Sequence, residues 1–167
     1  MKETIESFYR AFGQLDAEAM VSCYHADVIF EDPVFGVLTG EKACNMWRML
    51  CHAQRGKDFR IVVSDLSVDG KSGRAHWEVF YPFAKKGRRV HNVVEAHFEF
   101  EAGRIIRHTD QFALYRWARQ ALGVRGILMG WTGFFRKKLR KQVLGRLRQF
   151  EEKRRHDAQA ACGQDLR

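Results

Sequence analysis

The sequence predicts an α+β domain, a curved antiparallel sheet packed with N-terminal helices, followed by a basic amphipathic helix at the C-terminus. Three observations predict it. Apolar residues recur at spacings of three and four up to Gln54. After Gly56 the period drops to two and β-formers take over, with turn dipeptides between the runs. Lysine and arginine then crowd the end of the chain, where residues 136–167 carry 11 of them against 4 acids. Helices followed by a meander is the order of a sheet that buries one face under helices.

Each element has its own warrant. Ile5, Phe8, Tyr9 and Phe12 predict a helix over 3–13. Asp16 is placed to cap a second helix reaching about His25, with Met20, Cys23 and Tyr24 on its inner side. Residues 28–32 read as a short strand that Pro33 ends, because proline has no ladder donor. Thr39-Gly40 opens a third helix to about Gln54, striped by Ala43, Met46, Trp47, Leu50 and Cys51. Strands follow at about 58–67, 73–84, 88–101 and 104–115. Asp69-Gly70, Ala102-Gly103 and Lys85-Lys86-Gly87 are the hairpin signals between them.

Alternation sorts the strand side chains. Ala75, Trp77, Val79, Tyr81 and Phe83 share one face, as do Asn92, Val94, Ala96, Phe98 and Phe100, and Ile106, His108, Asp110 and Phe112. His76, Glu78, Glu95, His97 and Glu99 fall on the opposite, polar face, which reads as a solvated or dimer surface. A histidine and an aspartate on an apolar face need a partner or a task, since burying either bare is costly.

Composition narrows the function classes. A chain of 167 residues, 46% hydrophobic, suits one packed core and excludes a disordered chain. The N-terminus lacks the apolar segment of a signal peptide, and no stretch approaches a membrane span, so a soluble cytoplasmic protein is expected. Cys23, Cys44, Cys51 and Cys162 form no CxxC pair, which points to free thiols in a reducing compartment. No metal is expected, because no histidine pair has ligand spacing with a matching carboxylate. The net charge of +9 sits mostly in the tail. There Leu128, Trp131, Phe135, Leu139, Val143, Leu147 and Phe150 step at helical spacing from Ile127 onward, and Arg136, Lys137, Lys138, Arg140, Lys141, Arg146 and Arg148 fill the other side. Three uses stay open. The stripe packs on its own domain or on a dimer mate; the helix makes peripheral contact with an anionic membrane; or it binds nucleic acid, which is not expected in the absence of a reading motif.

The run YHADVIFEDP at 24–33, with helices before it and Gly40 opening another after it, resembles the ketosteroid isomerase and SnoaL-like cyclase superfamily, the nuclear-transport-factor-two-like fold. GRIIRHTD at 103–110 resembles the closing strands of that family. The resemblance implies a cone-shaped sheet (a cystatin-like roll) over 1–115, and the residue pattern beyond it reads as a helical extension over 116–155 and a frayed tail over 156–167. It implies a ligand inside the cone and, as in many members, a homodimer through the outer sheet face. Asp32 falls on the position of the isomerases' proton-shuttling aspartate, and Tyr9 lies near their first-helix tyrosine. Ala96 stands where their late-strand acid would be. Asp110 matches the final-strand aspartate of limonene epoxide hydrolases, but Trp77 and Val79 occupy the region of their Arg-x-Asp pair. SnoaL-like cyclases, with a cavity aspartate as base, are the nearest remaining analogue.

The expected function is therefore acid–base chemistry without a cofactor on an apolar cyclic or polyketide-like molecule. Asp32, Asp110 and His108 are the catalytic candidates. Tyr9, Tyr24, Trp47, Tyr81, Ala96, Phe98 and Phe112 are the substrate-binding candidates. Each residue also has a plainer reading: Asp32 as a turn cap, His108 and Asp110 as a satisfied core pair, Tyr9 as core. A ligand-binding module without catalysis stays open as the rival.

Overall fold

The computed structural model describes residues 1–83 and 87–164, with the backbone alone at Arg125 and at 161–164. Lys85 and Lys86 of one hairpin signal, the Cys162 side chain and residues 165–167 lie outside it. Helix α1 (Lys2–Gly13) buries Ile5, Phe8, Tyr9 and Phe12, the stripe its spacing predicts. In α2 (Ala17–Ser22) the Asp16 carboxylate accepts the Ala19 amide at 3.0 Å, as an N-cap should. This helix is shorter than expected. Chain reaching toward His25 is already strand, because β1 spans Tyr24–Asp32. The hairpin strand β2 (Gly36–Thr39) was not legible in the sequence, being too short to show a period. Helix α3 (Gly40–Gln54) matches its predicted bounds.

The meander is β3 (Arg60–Asp69), β4 (Ser72–Phe83), β5 (Arg88–Glu101) and β6 (Arg104–Gln111). All six strands form one curved sheet in the order β2-β1-β6-β5-β4-β3. The meander is antiparallel as expected, but β1 joins β6 in parallel, setting Phe30 beside His108. Parallel neighbours need a long crossover, and here α3 and the whole meander supply it. On the outer face the carboxylates pair with histidines across strands: His76 Nδ1 lies 2.5 Å from Glu95 Oε1, and His91 Nε2 meets Glu78 Oε2.

Two features of β6 depart from simple alternation. Glu99 pairs with Arg107 and Phe100 with Ile105, so Ile106 is the extra residue of a bulge. The buried set is Ile105, His108 and Asp110, and Ile106 is turned out of it. The strand also ends at Gln111, before Phe112. The chain then turns into α4 (Leu114–Leu122), where the sequence suggested only a lead-out from the sheet. Trp117, Ala118 and Ala121 of α4 are buried, and Gln120 brackets the His91 backbone, accepting from its amide at 2.6 Å and donating to its carbonyl at 2.9 Å.

The tail is not one helix from Ile127. Helix α5 (Val124–Met129) stops at Gly130, and α6 (Gly133–Gln164) runs on past the point where fraying was expected. Gly126 allows the close approach of α5 to α4, since a Cβ there would lie 1.9 Å from the Ala118 carbonyl oxygen. Leu139 and Leu147 of α6 are buried, and Phe150 lies 6.2 Å, ring to ring, from His52 of α3. Of the three uses of the stripe, packing on its own domain accounts for this part.

Candidate functional site

Two regions emerge where the sequence suggested one hollow. The first is the closed interior around His108. Rings of Phe8, Phe30, Tyr24, Trp47 and Phe98 surround its imidazole at centroid distances between 4.4 Å (Phe98) and 6.0 Å (Trp47, stacked). His108 has no exposed surface. A hydrogen-bonded line threads these rings. Trp47 Nε1–H donates to Tyr24 Oη at 2.7 Å, Tyr24 Oη is 2.7 Å from His108 Nδ1, and His108 Nε2 is 3.0 Å from Asp110 Oδ1. Indole nitrogen only donates, so the Tyr24 oxygen accepts there and its own proton goes to Nδ1. That leaves Nε2–H to donate to Asp110, which fixes the imidazole as the Nε2–H tautomer. Trp77 Nε1–H adds a longer contact to the same Asp110 oxygen at 3.4 Å.

The register explains how Asp110 comes to sit there. Ala96 is its cross-strand partner, and Trp77 lies on the next strand over. With only a methyl at Ala96, the indole of Trp77 reaches diagonally to the carboxylate. Tyr9 closes this region from α1. Its hydroxyl is buried with no hydrogen-bond partner among the described residues. Burial, and then the charge of Asp110, push its pKa well above the usual phenol value, so the hydroxyl keeps its proton.

The second region is an open cleft of about 760 Å³ at the mouth of the sheet, between the β1–β2 turn, the end of β6 and the C-terminal helices. Asp32 and Asp110 both line it, so Asp110 belongs to both regions. Phe112, Leu114 and Trp131 give it apolar walls, and Glu31, Arg136 and Arg140 bring charge. Asp32 does what the residue before a proline turn is expected to do: its Oδ1 accepts the amides of Val34 at 2.9 Å and Phe35 at 2.5 Å. It nevertheless faces the cleft. Burial, with a further contribution from the Asp110 charge, pushes its carboxyl up to about 7, against the pull of the turn amides. Arg140 reaches over the same turn, with Nε 3.4 Å from the Val34 carbonyl. Gly36 (φ +72°) permits this, since a Cβ there would lie 2.9 Å from the guanidinium carbon.

Of the candidates read from sequence, Asp32, Asp110 and Phe112 line the cleft. Tyr9, Tyr24, Trp47, Ala96 and Phe98 do not line it and belong to the packed interior, where rings fill the space that the cone was expected to leave hollow. His108 meets the cleft only through Asp110. Tyr81 is elsewhere: it accepts from Trp117 Nε1 at 2.8 Å beneath α4, and burial pushes its phenol up to about 12. Trp77, Arg136 and Arg140 were missed as site residues. Trp77 was legible only as core. The arginines read as the solvated side of an amphipathic helix, and no local signal says that this helix returns to the β1–β2 turn. Among the described residues no cluster of three metal-ligating side chains occurs.

A model of the SnoaL-like domain family matches residues 5–108. Among solved structures, an LEH-like epoxide hydrolase of M. tuberculosis is similar over 75% of this chain and 90% of its own, at 22% identity and a TM-score of 0.59. A putative polyketide cyclase of Pseudomonas putida is similar over 72% and 96%, at 20% identity and a TM-score of 0.56. A putative ketosteroid isomerase of Kribbella flavida is similar over 67% and 76%, at 17% identity and a TM-score of 0.53. At these identities the likeness is one of fold. No curated protein sequence matches.

Proposed function

The chain belongs to the SnoaL-like domain family, and on that premise we propose that it is an acid–base enzyme of the isomerase, cyclase or hydratase/hydrolase type, acting without a cofactor on an apolar cyclic or polyketide-like molecule. The observation that carries the proposal is the sharing of one solvent-reachable cleft by Asp32 and Asp110, with the Asp32 carboxyl poised near 7. A base whose acidity matches the operating pH both takes a proton and gives it back. Asp32 would remove a proton from carbon or from water. Asp110, oriented by His108 and Trp77, would hold the negative potential that sustains this basicity. Phe112, Leu114 and Trp131 would hold the flat apolar body. The names of the epoxide hydrolase, cyclase and isomerase neighbours fall within this range of reactions.

The test is turnover of a panel of cyclic ketones, cyclic epoxides and linear polyketide mimics, read by mass spectrometry. Asp32→Asn should lower turnover by about 10²–10⁴-fold, and wild-type turnover should rise with pH and level off above about 7 as Asp32 ionises. Full activity in Asp32→Asn would end the proposal.

Ala96, in place of a late-strand acid, favours a second reading, in which the cleft holds an unaltered apolar ligand. Native mass spectrometry of protein from its own host separates the two, since a stoichiometric, chemically unchanged ligand supports binding alone. In either reading we place the protein in the cytoplasm, where the buried thiols of Cys23, Cys44 and Cys51 would stay free. Two copies would associate through the outer sheet face, which light scattering would test.

A further inference from the structure

Apolar exposure in this chain is concentrated in one short segment. Of ten large apolar residues that are exposed among the described residues, six fall within 124–134: Val124, Ile127, Leu128, Met129, Trp131 and Phe134. Leu128 and Trp131 are each 68% exposed. The own-domain packing of α6 does not use them, because it is Leu139 and Leu147 that bury. At about 3.6 residues per turn, the face of α6 opposite Leu139 carries Phe134, Lys137, Lys138, Lys141 and Arg148, all exposed. Along the chain the charge flanking the patch has one sign, and the acids nearest it in space, Glu31, Asp32 and Asp110, lie in the cleft that Trp131 borders. Residues 111–150 contain ten lysines and arginines and no aspartate or glutamate. The matched family domain ends at residue 108, before this segment begins.

We propose that α5 and the outward face of α6 form a docking surface for an anionic phospholipid membrane. The side chains of 127–134 would enter the headgroup boundary while Lys137, Lys138 and Lys141 meet the lipid charge. A chain segment that presents tryptophan and phenylalanine beside lysines, with no acid among them, fits a surface apolar below and negative at its edge. A soluble protein partner would have to offer that same combination. The helix lies on such a surface and does not cross it, since no helix described here is long and apolar enough to span. Trp131 also belongs to the cleft wall, so docking would bring the mouth of the cleft to the lipid, but the docking itself does not depend on any chemistry in the cleft.

Sedimentation of the full-length protein with phosphatidylcholine vesicles, with and without phosphatidylserine, tests this. Binding is expected only with phosphatidylserine and should weaken as salt rises. Lys137→Gln, Lys138→Gln and Lys141→Gln together should lower the partition coefficient on the order of 100-fold, at about fivefold for each charge. Leu128→Glu with Phe134→Glu should abolish binding. Trp131 provides an independent signal, because Trp47, Trp77 and Trp117 are already buried: wild-type emission should shift to the blue with anionic vesicles, and Trp131→Phe should lose the shift. Equal binding to both vesicle types, or no loss in either set of variants, would overturn the proposal. So would a self-association that Leu128→Glu removes in a protein that does not bind vesicles, which would assign the patch to a second copy of the chain.

Discussion

The closed interior and the open mouth are two ends of one cluster of polar groups, and Asp110 joins them. On the inner side, Trp47 Nε1, Tyr24 Oη, both ring nitrogens of His108 and Asp110 Oδ1 are joined in one line of hydrogen bonds. On the outer side, Asp32 is tied to its turn but kept from ionising freely by burial and by Asp110. The same residue type thus serves two ends. The carboxylate tied into a buried side-chain network holds geometry, whereas the one whose pKa burial raises toward neutrality has protonation free energy to give to a reaction.

The sharpest way to break the comparison is at His108. His108→Ala should remove about 3–5 kcal/mol of stability in urea denaturation, because it strands Asp110 and Tyr24 and leaves a cavity among rings. A loss below about 1 kcal/mol would show that the interior is not the fixed part.

Asp32 should behave in the opposite way. Its folded carboxyl sits near 7, above its ordinary 3.8, so the fold favours the protonated form. The stability that this contributes is fully present below pH 4 and is lost as pH rises through 7. An asparagine side chain at this position cannot ionise and keeps the oxygen that accepts the turn amides. Relative to wild type, Asp32→Asn should therefore gain stability on the order of 3–4 kcal/mol between pH 4 and pH 8, measured by paired melts. A difference independent of pH would mean that Asp32 titrates as an ordinary surface acid.

Tyr24→Phe should cost about 1–3 kcal/mol, since Trp47 Nε1 and His108 Nδ1 both lose their partner in the dry interior. Tyr9→Phe should be the mildest. Its hydroxyl has no partner to lose, so stability should hold or rise by about 1 kcal/mol. Because Tyr9 does not line the cleft, turnover in the same variant should hold, and a fall would show that substrate reaches past Asp110 into the interior.

How much was legible follows from how local each signal is. The α1 stripe, the Asp16 cap, the α3 bounds and the 88–101 strand all appear where neighbouring residues predict them. The Asp32 turn does too, since proline, aspartate and the two following amides are contiguous. The pairing of His108 with Asp110 was half legible. Two residues on one strand face are expected to be neighbours, but the Ile106 bulge and the tether to Tyr24, 84 positions away, were not visible. The arginines of α6 were legible as charge and not as lining.

The sequence by itself determined the fold class, the family, the turn that holds Asp32 and the basic character of the tail, because each is written in periodicity, composition or a contiguous motif. Tertiary structure alone decided that rings fill the interior around His108, that β1 lies parallel to β6, that Ala96 makes way for the reach of Trp77 to Asp110, and that Arg140 returns to Gly36. These depend on volumes and directions shared between residues far apart in the chain, and no local spacing encodes whether distant side chains will leave a gap or close it.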